Sequence, residues 1–376
     1  MDLVDKTKVG VIGLGIMGAG IVEVFSAHGY QVIGVAESDE AVAQGKQNLT
    51  KSLTRAVDRK KITDKNAEEI QNRVTWNTSL SALAECNLVI EAAPEILQLK
   101  LDIFSQLDSL VKPSCILATN TSSLSVTQIA KSTSQPENVI GFHFFNPAPV
   151  QKFIELITTE FTASQVTQTA LELGRSLGNY VALVSDKPGF IVNKLLLVYL
   201  NHAVQILDSG IAQKNDIDSA MRELAGFPMG PLELIDLIGI DTCVEILKTI
   251  HQDSNNELHL PAIGLTNLLN QGNKGRKSGQ GFYGYQSRPE IPQSNNLEIK
   301  QAVYTELETA YLGDAVAMEA SGYASKTDID NAMKLGCGLP IGPFERVDQI
   351  GLAQLRDRQA ALAIATGKDQ YAPLSM

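Results

Sequence analysis

The sequence predicts an α/β N-terminal domain with a parallel sheet, followed by an all-α C-terminal region made of two repeated helical units. Three observations carry this expectation. Up to about residue 185, short β-branched runs alternate with longer helical patterns, as in a sheet with crossover helices. Beyond that point strand signals nearly vanish. The helical half also matches itself without a gap, at an offset of 112 residues: Gly210 falls on Gly322, Asp216 on Asp328, Pro228 on Pro340 and Gly230 on Gly342.

Taken in order, the candidate strands are Val9–Ile12, Val32–Val35, Val74–Trp76, Leu88–Glu91, Ile116–Thr119 and Val139–Phe144. A long helix is expected from Ser38 to Lys61. Ser38 caps it, and Val42, Lys46, Leu49, Leu53 and Val57 follow helical spacing. It is longer than an ordinary crossover and is expected to project beyond the sheet. "VSDKPG" breaks the periodicity and closes a first domain, residues 1–185. "KPGFIVNKLLLVYLNHAVQILDSG" reads as a long buried helix ending at Gly210. It opens the first helical domain, residues 186–290, and the second copy occupies 297–376. The polar stretch "SRPEIPQSNN", residues 287–296, links them. One copy is expected to pack on the other and bury a shared apolar face.

The 31 basic and 42 acidic residues give a net charge of −11, which argues against partners such as nucleic acid or an anionic membrane. Cys86, Cys115, Cys243 and Cys337 are far apart with no CxxC, so neither a zinc site nor a disulfide framework is indicated. Reduced thiols in a cytoplasmic protein are the simpler reading. The N-terminus "MDLVDKTKVGVIG" lacks a basic-then-apolar leader pattern. "GFIVNKLLLVYL" is too short for a bilayer and carries a lysine.

"VGVIGLGIMGAGI" is a strand entering GxGxxG, with Gly13, Gly15 and Gly18. The first glycine permits a tight turn, the second lets a pyrophosphate approach the backbone, and the third brings helix and strand close. The next helix offers unpaired N–H groups, from Ile16 and Met17 onward, to phosphate. Glu37 ends the second strand, where an acid accepts hydrogen bonds from a ribose and repels a 2′-phosphate. The expected cofactor is NAD rather than NADP.

In "GFHFFNPAPVQKFIEL" (141–156) one histidine, His143, sits in an apolar run, and one carboxylate, Glu155, sits in the next. A lone histidine in such a run is more often a satisfied core residue, and Glu155 could instead pair with Lys152. As a catalytic pair they suit proton abstraction: imidazole titrates near pH 7 and a carboxylate fixes its tautomer.

With the glycine loop, four stretches then accumulate: "EAAPE" (91–95), "NTSSLS" (120–125), "GFHFFNPAPV" (141–150) and "KPGFIVNKLL" (187–196). Over residues 7 to about 285 this set resembles the L-3-hydroxyacyl-CoA dehydrogenase family. "GRKSGQGFYGY" (275–285) resembles the usual end of that family's helical unit. The resemblance implies a Rossmann-like domain followed by a helical one. It implies NAD-dependent oxidation of a (S)-3-hydroxyacyl-CoA to the 3-ketoacyl-CoA, or the reverse reduction. The substrate is expected to be short-chain, such as 3-hydroxybutyryl-CoA or acetoacetyl-CoA, within fatty acid metabolism.

Carried over by residue, the resemblance implies His143 as base, Glu155 as its partner, and Ser122 and Asn193 as hydrogen-bond donors to substrate oxygens. It places Glu95 on the nicotinamide side, with Lys100 and Asn120 nearby. No metal is needed, because nicotinamide supplies the redox chemistry. Ser122 could also serve as a helix cap, and a buried Asn193 needs partners. Lys51, Arg55 and Arg59 lie four apart with Lys60 and Lys61 beside them. Such a row is usually a solvated face; the resemblance implies contacts to CoA phosphates for some, with Lys51, Arg55 and Lys60 as candidates.

Glu37 stands where aspartate is commoner in the family. Asn193 aligns with Thr305 and "KPGFIVN" has no counterpart in the second copy, so that copy is expected to be structural. The protein is then either a monomer with an internal pseudo-dimer or a weak homodimer. No hydratase segment precedes the glycine loop, so the dehydrogenase alone is expected. Two rival readings stay open: an offshoot acting on a non-CoA hydroxy acid, and a non-catalytic NAD-binding structural protein.

Overall fold

The computed structural model describes residues 7–286 and 293–374. The predicted link at 287–296 lies outside the described residues as far as 292, as do the outermost ends of the predicted domains. The chain forms two compact units, Met1–Asp186 and Lys187–Met376.

The first unit runs β1 (Lys8–Ile12), α1 (Ile16–Ala27), β2 (Gln31–Val35), α2 (Asp39–Asp58), α3 (Asp64–Asn72), β3 (Val74–Asn77), β4 (Leu88–Glu91), α4 (Leu97–Leu110), β5 (Ile116–Thr119), α5 (Val126–Ala130), β6 (Val139–Phe144), β7 (Phe153–Thr158), α6 (Ser164–Ser176) and β8 (Tyr180–Ser185). All six predicted strands form. The sheet order is β3-β2-β1-β4-β5-β6-β7-β8. Each strand of this sheet is parallel to its neighbours except where β6 meets β7 antiparallel. The all-parallel expectation is corrected there. Residues 145–152 are too few to make a crossover, so the chain turns straight back. β7 and β8 are absent from the predicted strands; β7 is buried at nearly every position and lacks the in–out alternation of a strand with one wet face, whereas β8 alternates buried and exposed residues from Ala182 to Ser185.

Helix α2 starts as expected, with Ser38 Oγ accepting the Ala41 N–H at 3.2 Å. Its buried stripe is Val42, Gly45, Leu49 and Leu53, and Lys46 faces solvent. A Cβ at Gly45 would lie 2.6 Å from Leu14, so the missing side chain is what lets α2 dock. The helix ends at Asp58, short of Lys61. Lys60 turns to φ +56° and the Lys61 N–H bonds back to Ala56 O at 2.9 Å, a Schellman closure. Ile62 then packs on the core, which draws the chain off the helix axis. Lys60 and Lys61 therefore do not extend the α2 face.

The second unit contains α7 (Val192–Asp208), α8 (Lys214–Glu223), α9 (Pro231–Ile238), α10 (Ile240–Ser254), α11 (Ile263–Asn270), α12 (Leu297–Ala320), α13 (Lys326–Asn331), α14 (Pro343–Ile350) and α15 (Leu352–Thr366). Helix α7 stops before Gly210, which takes φ +75°. Both copies of the repeat lie in this unit, with α12 packed on α7 and α8 as well as on α14 and α15.

The repeat is one of hydrogen bonds as well as letters. Asp218 accepts the N–H groups of Leu232 (2.8 Å) and Glu233 (3.2 Å) at the start of α9. Asp330 does the same for Phe344 (2.7 Å) and Glu345 (3.2 Å) at the start of α14. Gly230 and Gly342 leave the space these carboxylates fill, since a Cβ on either would fall 2.3 or 2.4 Å from the aspartate. Arg222 pairs with Glu233, and Lys334 with Glu345. Among the described residues no helix is long and apolar enough to cross a membrane, and all four cysteines are free thiols.

Candidate active site

The glycine loop lies between β1 and α1, where β1 is flanked by β2 on one side and β4 on the other. That reversal of strand order is where open α/β sheets leave a crevice at their carboxyl ends. Gly13 takes φ +84°, and a Cβ there would meet Ala92 O at 2.6 Å. A Cβ at Gly18 would lie 1.7 Å from Gly13 O, so only glycine lets α1 start this close to β1. Gly15 is different: nothing lies within 4 Å of its would-be Cβ. Space is open at the glycine expected from the sequence to admit a pyrophosphate. No acidic residue occupies the first turn of α1, so the helix brings no negative charge of its own to its positive end. Glu37 is exposed just past β2, and Ile16 is exposed beside the loop.

His143 and Glu155 face each other across the antiparallel β6–β7 ladder. His143 Nδ1 and Glu155 Oε2 are 2.8 Å apart, and both residues are buried. The carboxylate has only acceptors, so Nδ1 carries the proton and Nε2 carries the lone pair. The Phe145 ring sits 4.5 Å from the imidazole. The alternative Lys152 partnership for Glu155 is not what this geometry builds. The reversal after β6 is what creates the pair, because only an antiparallel neighbour follows closely enough in sequence to bring residue 155 opposite 143.

A second network lies at the ends of β4 and β5. Lys100, on α4, is almost fully buried, with its ammonium 2.7 Å from Glu91 Oε1 and 3.3 Å from Glu95 Oε2. Glu91 also accepts Thr119 Oγ1 at 2.7 Å and the Ala93 N–H at 2.7 Å. Glu95 Oε1 receives Thr121 Oγ1 (2.6 Å), the N–H groups of Ser122 (2.9 Å) and Ser123 (3.1 Å), and more distantly Ser122 Oγ (3.4 Å). Burial pushes the Glu95 carboxyl up, but Lys100 and these donors outweigh it and hold the group below its ordinary value. Asn120 Oδ1 accepts the Phe144 N–H at 2.8 Å, which ties the "NTSS" turn to the strand carrying His143. The cap of α5 is Ser125, whose Oγ accepts the Gln128 N–H, so the capping role considered for Ser122 falls to Ser125. Sequence reasoning missed Glu91. A lysine destined for burial needs counter-charge, and "EAAPE" offered two acids where one was used.

Asn193 is half-buried in the first turn of α7, in the second unit. In the first unit, Lys51 and Arg55 line a cleft with Glu23, Asn48, Ser52 and the turn Asn146–Pro149. Glu23 is buried there, and burial pushes its carboxyl up against the opposing effect of a hydrogen bond from Ser52. Arg59, Lys60 and Lys61 are exposed beyond this cleft.

A Rossmann-type sheet with an open glycine loop at its switch point, a buried histidine–carboxylate pair and a helical companion unit define a nucleotide-dependent dehydrogenase class. Within it, the chain belongs to the 3-hydroxyacyl-CoA dehydrogenase family. The family's NAD binding domain matches residues 8–187, and its C-terminal domain matches twice, at 189–285 and 303–376. The duplicated helical unit read from the sequence is thus two copies of one family domain.

A probable 3-hydroxybutyryl-CoA dehydrogenase of Deinococcus radiodurans is 40% identical over 282 residues, covering 74% of this chain and 100% of that protein. The human mitochondrial hydroxyacyl-coenzyme A dehydrogenase is 38% identical over 282 residues, 73% of this chain and 90% of that one. The crystal structure of 3-hydroxybutyryl-CoA dehydrogenase from Escherichia coli K12 matches with a TM-score of 0.91 at 30% identity, covering 98% of this chain and 97% of its own.

Proposed function

We propose that the protein is an NAD-dependent 3-hydroxyacyl-CoA dehydrogenase acting on short-chain (S)-3-hydroxyacyl-CoA, or reducing the matching 3-ketoacyl-CoA such as acetoacetyl-CoA. The observation that carries this reading is the His143–Glu155 pair, held at 2.8 Å in the same sheet as the switch-point glycine loop. The relatives named for this activity support the substrate class. The free thiols fit a reducing compartment such as the cytoplasm.

When bound, the nicotinamide supplies the acceptor or donor of hydride. Gly15, Ile16 and Met17 would offer backbone N–H groups to the dinucleotide phosphates, Gly13 and Gly18 shape the loop that lets them do so, with the Gly13 N–H tied to Val35 O at 2.9 Å, and Glu37 would hold the ribose hydroxyls. Glu95 borders the nicotinamide side. Lys100 acts one step behind it, since its ammonium is committed to Glu91 and Glu95. Asn120 holds the adjoining turn against β6.

In the oxidative direction His143 Nε2 takes the proton from the substrate 3-hydroxyl as the carbon gives up hydride. Glu155 keeps Nδ1 protonated and stabilises the imidazolium as it forms. Ser122 and Asn193 donate hydrogen bonds to the substrate oxygens, where charge shifts during transfer. In reduction His143 returns that proton. Lys51 and Arg55 supply cationic contacts for the CoA phosphates in their cleft, and Lys60, turned off the α2 face, is a candidate only from outside it. NAD is preferred over NADP because Glu37 repels a 2′-phosphate.

The test follows NADH absorbance with acetoacetyl-CoA and with its short N-acetylcysteamine thioester. Turnover with acetoacetyl-CoA and a large loss of kcat/KM on the truncated thioester are expected. Equal use of both would favour a non-CoA hydroxy acid, and no turnover of either would refute the assignment.

A further inference from the structure

We propose that Tyr323, from the second copy of the repeat, is a positioning residue for the reaction: it clamps the strained turn that leads into Asn193. This rests on the role given to Asn193 under the proposed function. It departs from the expectation that the second copy is purely structural.

The chain enters α7 through two successive left-handed residues, Gly189 at φ +80° and Phe190 at φ +46°. Glycine takes that conformation readily, but for phenylalanine it is strained and persists only where the surroundings impose it. The imposing groups are visible. Phe190 is almost fully buried. A Cβ at Gly189 would fall 2.9 Å from Lys194 N, so the turn is closed tightly on itself. The backbone ladder of the helix start is irregular: the Lys194 N–H bonds Gly189 O at 2.9 Å, and the Leu195 N–H bonds Ile191 O at 3.1 Å. The carbonyl between those two acceptors is Phe190 O, and it receives the Tyr323 O–H at 2.9 Å. The same hydroxyl lies 3.3 Å from Lys187 O at the start of the turn.

Tyr323 is held for this task. It follows α12, is buried, and its ring lies under two ammonium groups, Lys194 Nζ at 4.8 Å and Lys187 Nζ at 5.5 Å. One side chain therefore touches the turn at both ends, by its hydroxyl and by its ring face. Asn193 lies in the chain between the Phe190 carbonyl and Lys194, so the two Tyr323 contacts bracket it. The first copy has no counterpart: the aligned position is Ile211, which is 60% exposed. The tyrosine belongs to the copy that lacks "KPGFIVN" and acts on the copy that has it.

The experiment compares Tyr323→Phe, Asn193→Ala, the double variant and Tyr371→Phe in the full chain, by steady-state kinetics and amide exchange. Tyr371 is the control. It also lies in the second copy and binds a first-copy group, His202, but far along α7 from Asn193. Tyr323→Phe keeps the stacked ring and removes only the hydroxyl.

The expected result is a kcat for Tyr323→Phe lowered about 10-fold, as befits one buried hydrogen bond. NADH affinity should stay within twofold, and the Lys194 and Leu195 amides should exchange faster. In the Asn193→Ala background the same change should cost less than twofold, and Tyr371→Phe should leave kcat unchanged. Wild-type kcat in Tyr323→Phe beside a slow Asn193→Ala overturns the clamp and leaves the Asn193 role intact. An undiminished 10-fold loss in the double variant also overturns it, because Tyr323 would then act elsewhere. Wild-type kcat in Asn193→Ala overturns both.

Discussion

Replacing Glu155 with glutamine isolates what the carboxylate contributes to His143. The two side chains are nearly the same size, and the site is buried in the centre of a β ladder, so the fold should survive. The charge does not. When His143 accepts a proton, the imidazolium and carboxylate charges sit roughly 4 Å apart, which at an effective dielectric of about 20 is worth about 4 kcal/mol. Losing that should slow proton transfer by roughly 10³-fold. An amide can also present its NH₂ to Nδ1, which would shift the imidazole proton to Nε2 and remove the base altogether. The assay is NAD reduction with (S)-3-hydroxybutyryl-CoA at saturating substrate, with NADH fluorescence titration and thermal melting in parallel. Cofactor affinity within twofold and a melting temperature within a few degrees are expected beside the collapse in kcat. A kcat within threefold of the parent would refute the argument, because the carboxylate would then be only a structural partner.

Three further outcomes follow from the same structure. Lys100→Met strands the fully buried Glu91 without its counter-charge, which should cost about 3–5 kcal/mol and lower the melting temperature of the first unit by roughly 10 °C; calorimetry showing a shift under 3 °C would contradict this. Gly15→Ala should fold normally yet bind NADH at least tenfold more weakly, whereas Gly18→Ala should fail to fold stably because its Cβ meets Gly13 O; equal melting temperatures for the two would count against the loop assignment. His259 is buried beside Ser254, and burial with the charges of Lys194 and His251 pushes its imidazole down to about 4. An unfolded imidazole takes its proton near pH 6.5, so stability should fall as pH drops from about 6.5 to 4, by up to about 3 kcal/mol. His259→Gln should flatten that slope in urea titrations at pH 7 and 4.5, and an unchanged slope would remove His259 as its source.

Much of the first unit was legible because its signals are local. A glycine turn, a serine cap and a β-branched run each depend on a few neighbouring residues, and all six predicted strands stand where they were placed. β7 was not predicted because a strand buried on nearly every residue loses the alternation that identifies it; β8 alternates only over Ala182–Ser185, too short a stretch to stand out beside the break at "VSDKPG". The end of α2 was misjudged because Arg59, Lys60 and Lys61 are good helix formers; Ile62 seeking the core overrides them. Lys100 was visible as a residue but not as a buried ion, since its partners are assembled from β4 and the turn after it. Tyr323 lay beyond sequence reasoning for a plainer reason. Its contact with Phe190 joins residues 133 positions apart and leaves no periodic trace in either segment.

The ladder that pairs β6 with β7 also decides which lengths of chain this enzyme can tolerate. Side chains alternate between the two faces of a strand, so one residue inserted or removed between Phe153 and Glu155 would swing the carboxylate to the opposite side of the sheet. The loop from 145 to 152 is under a different constraint: Ala148 is buried in the core and Asn146–Pro149 line the cleft with Lys51 and Arg55, so packing rather than the count along a strand holds it. Sequence divergence around the pair is therefore channelled: the two strands admit only changes that keep count, and the turn only those that keep Ala148 in the core and the cleft in shape.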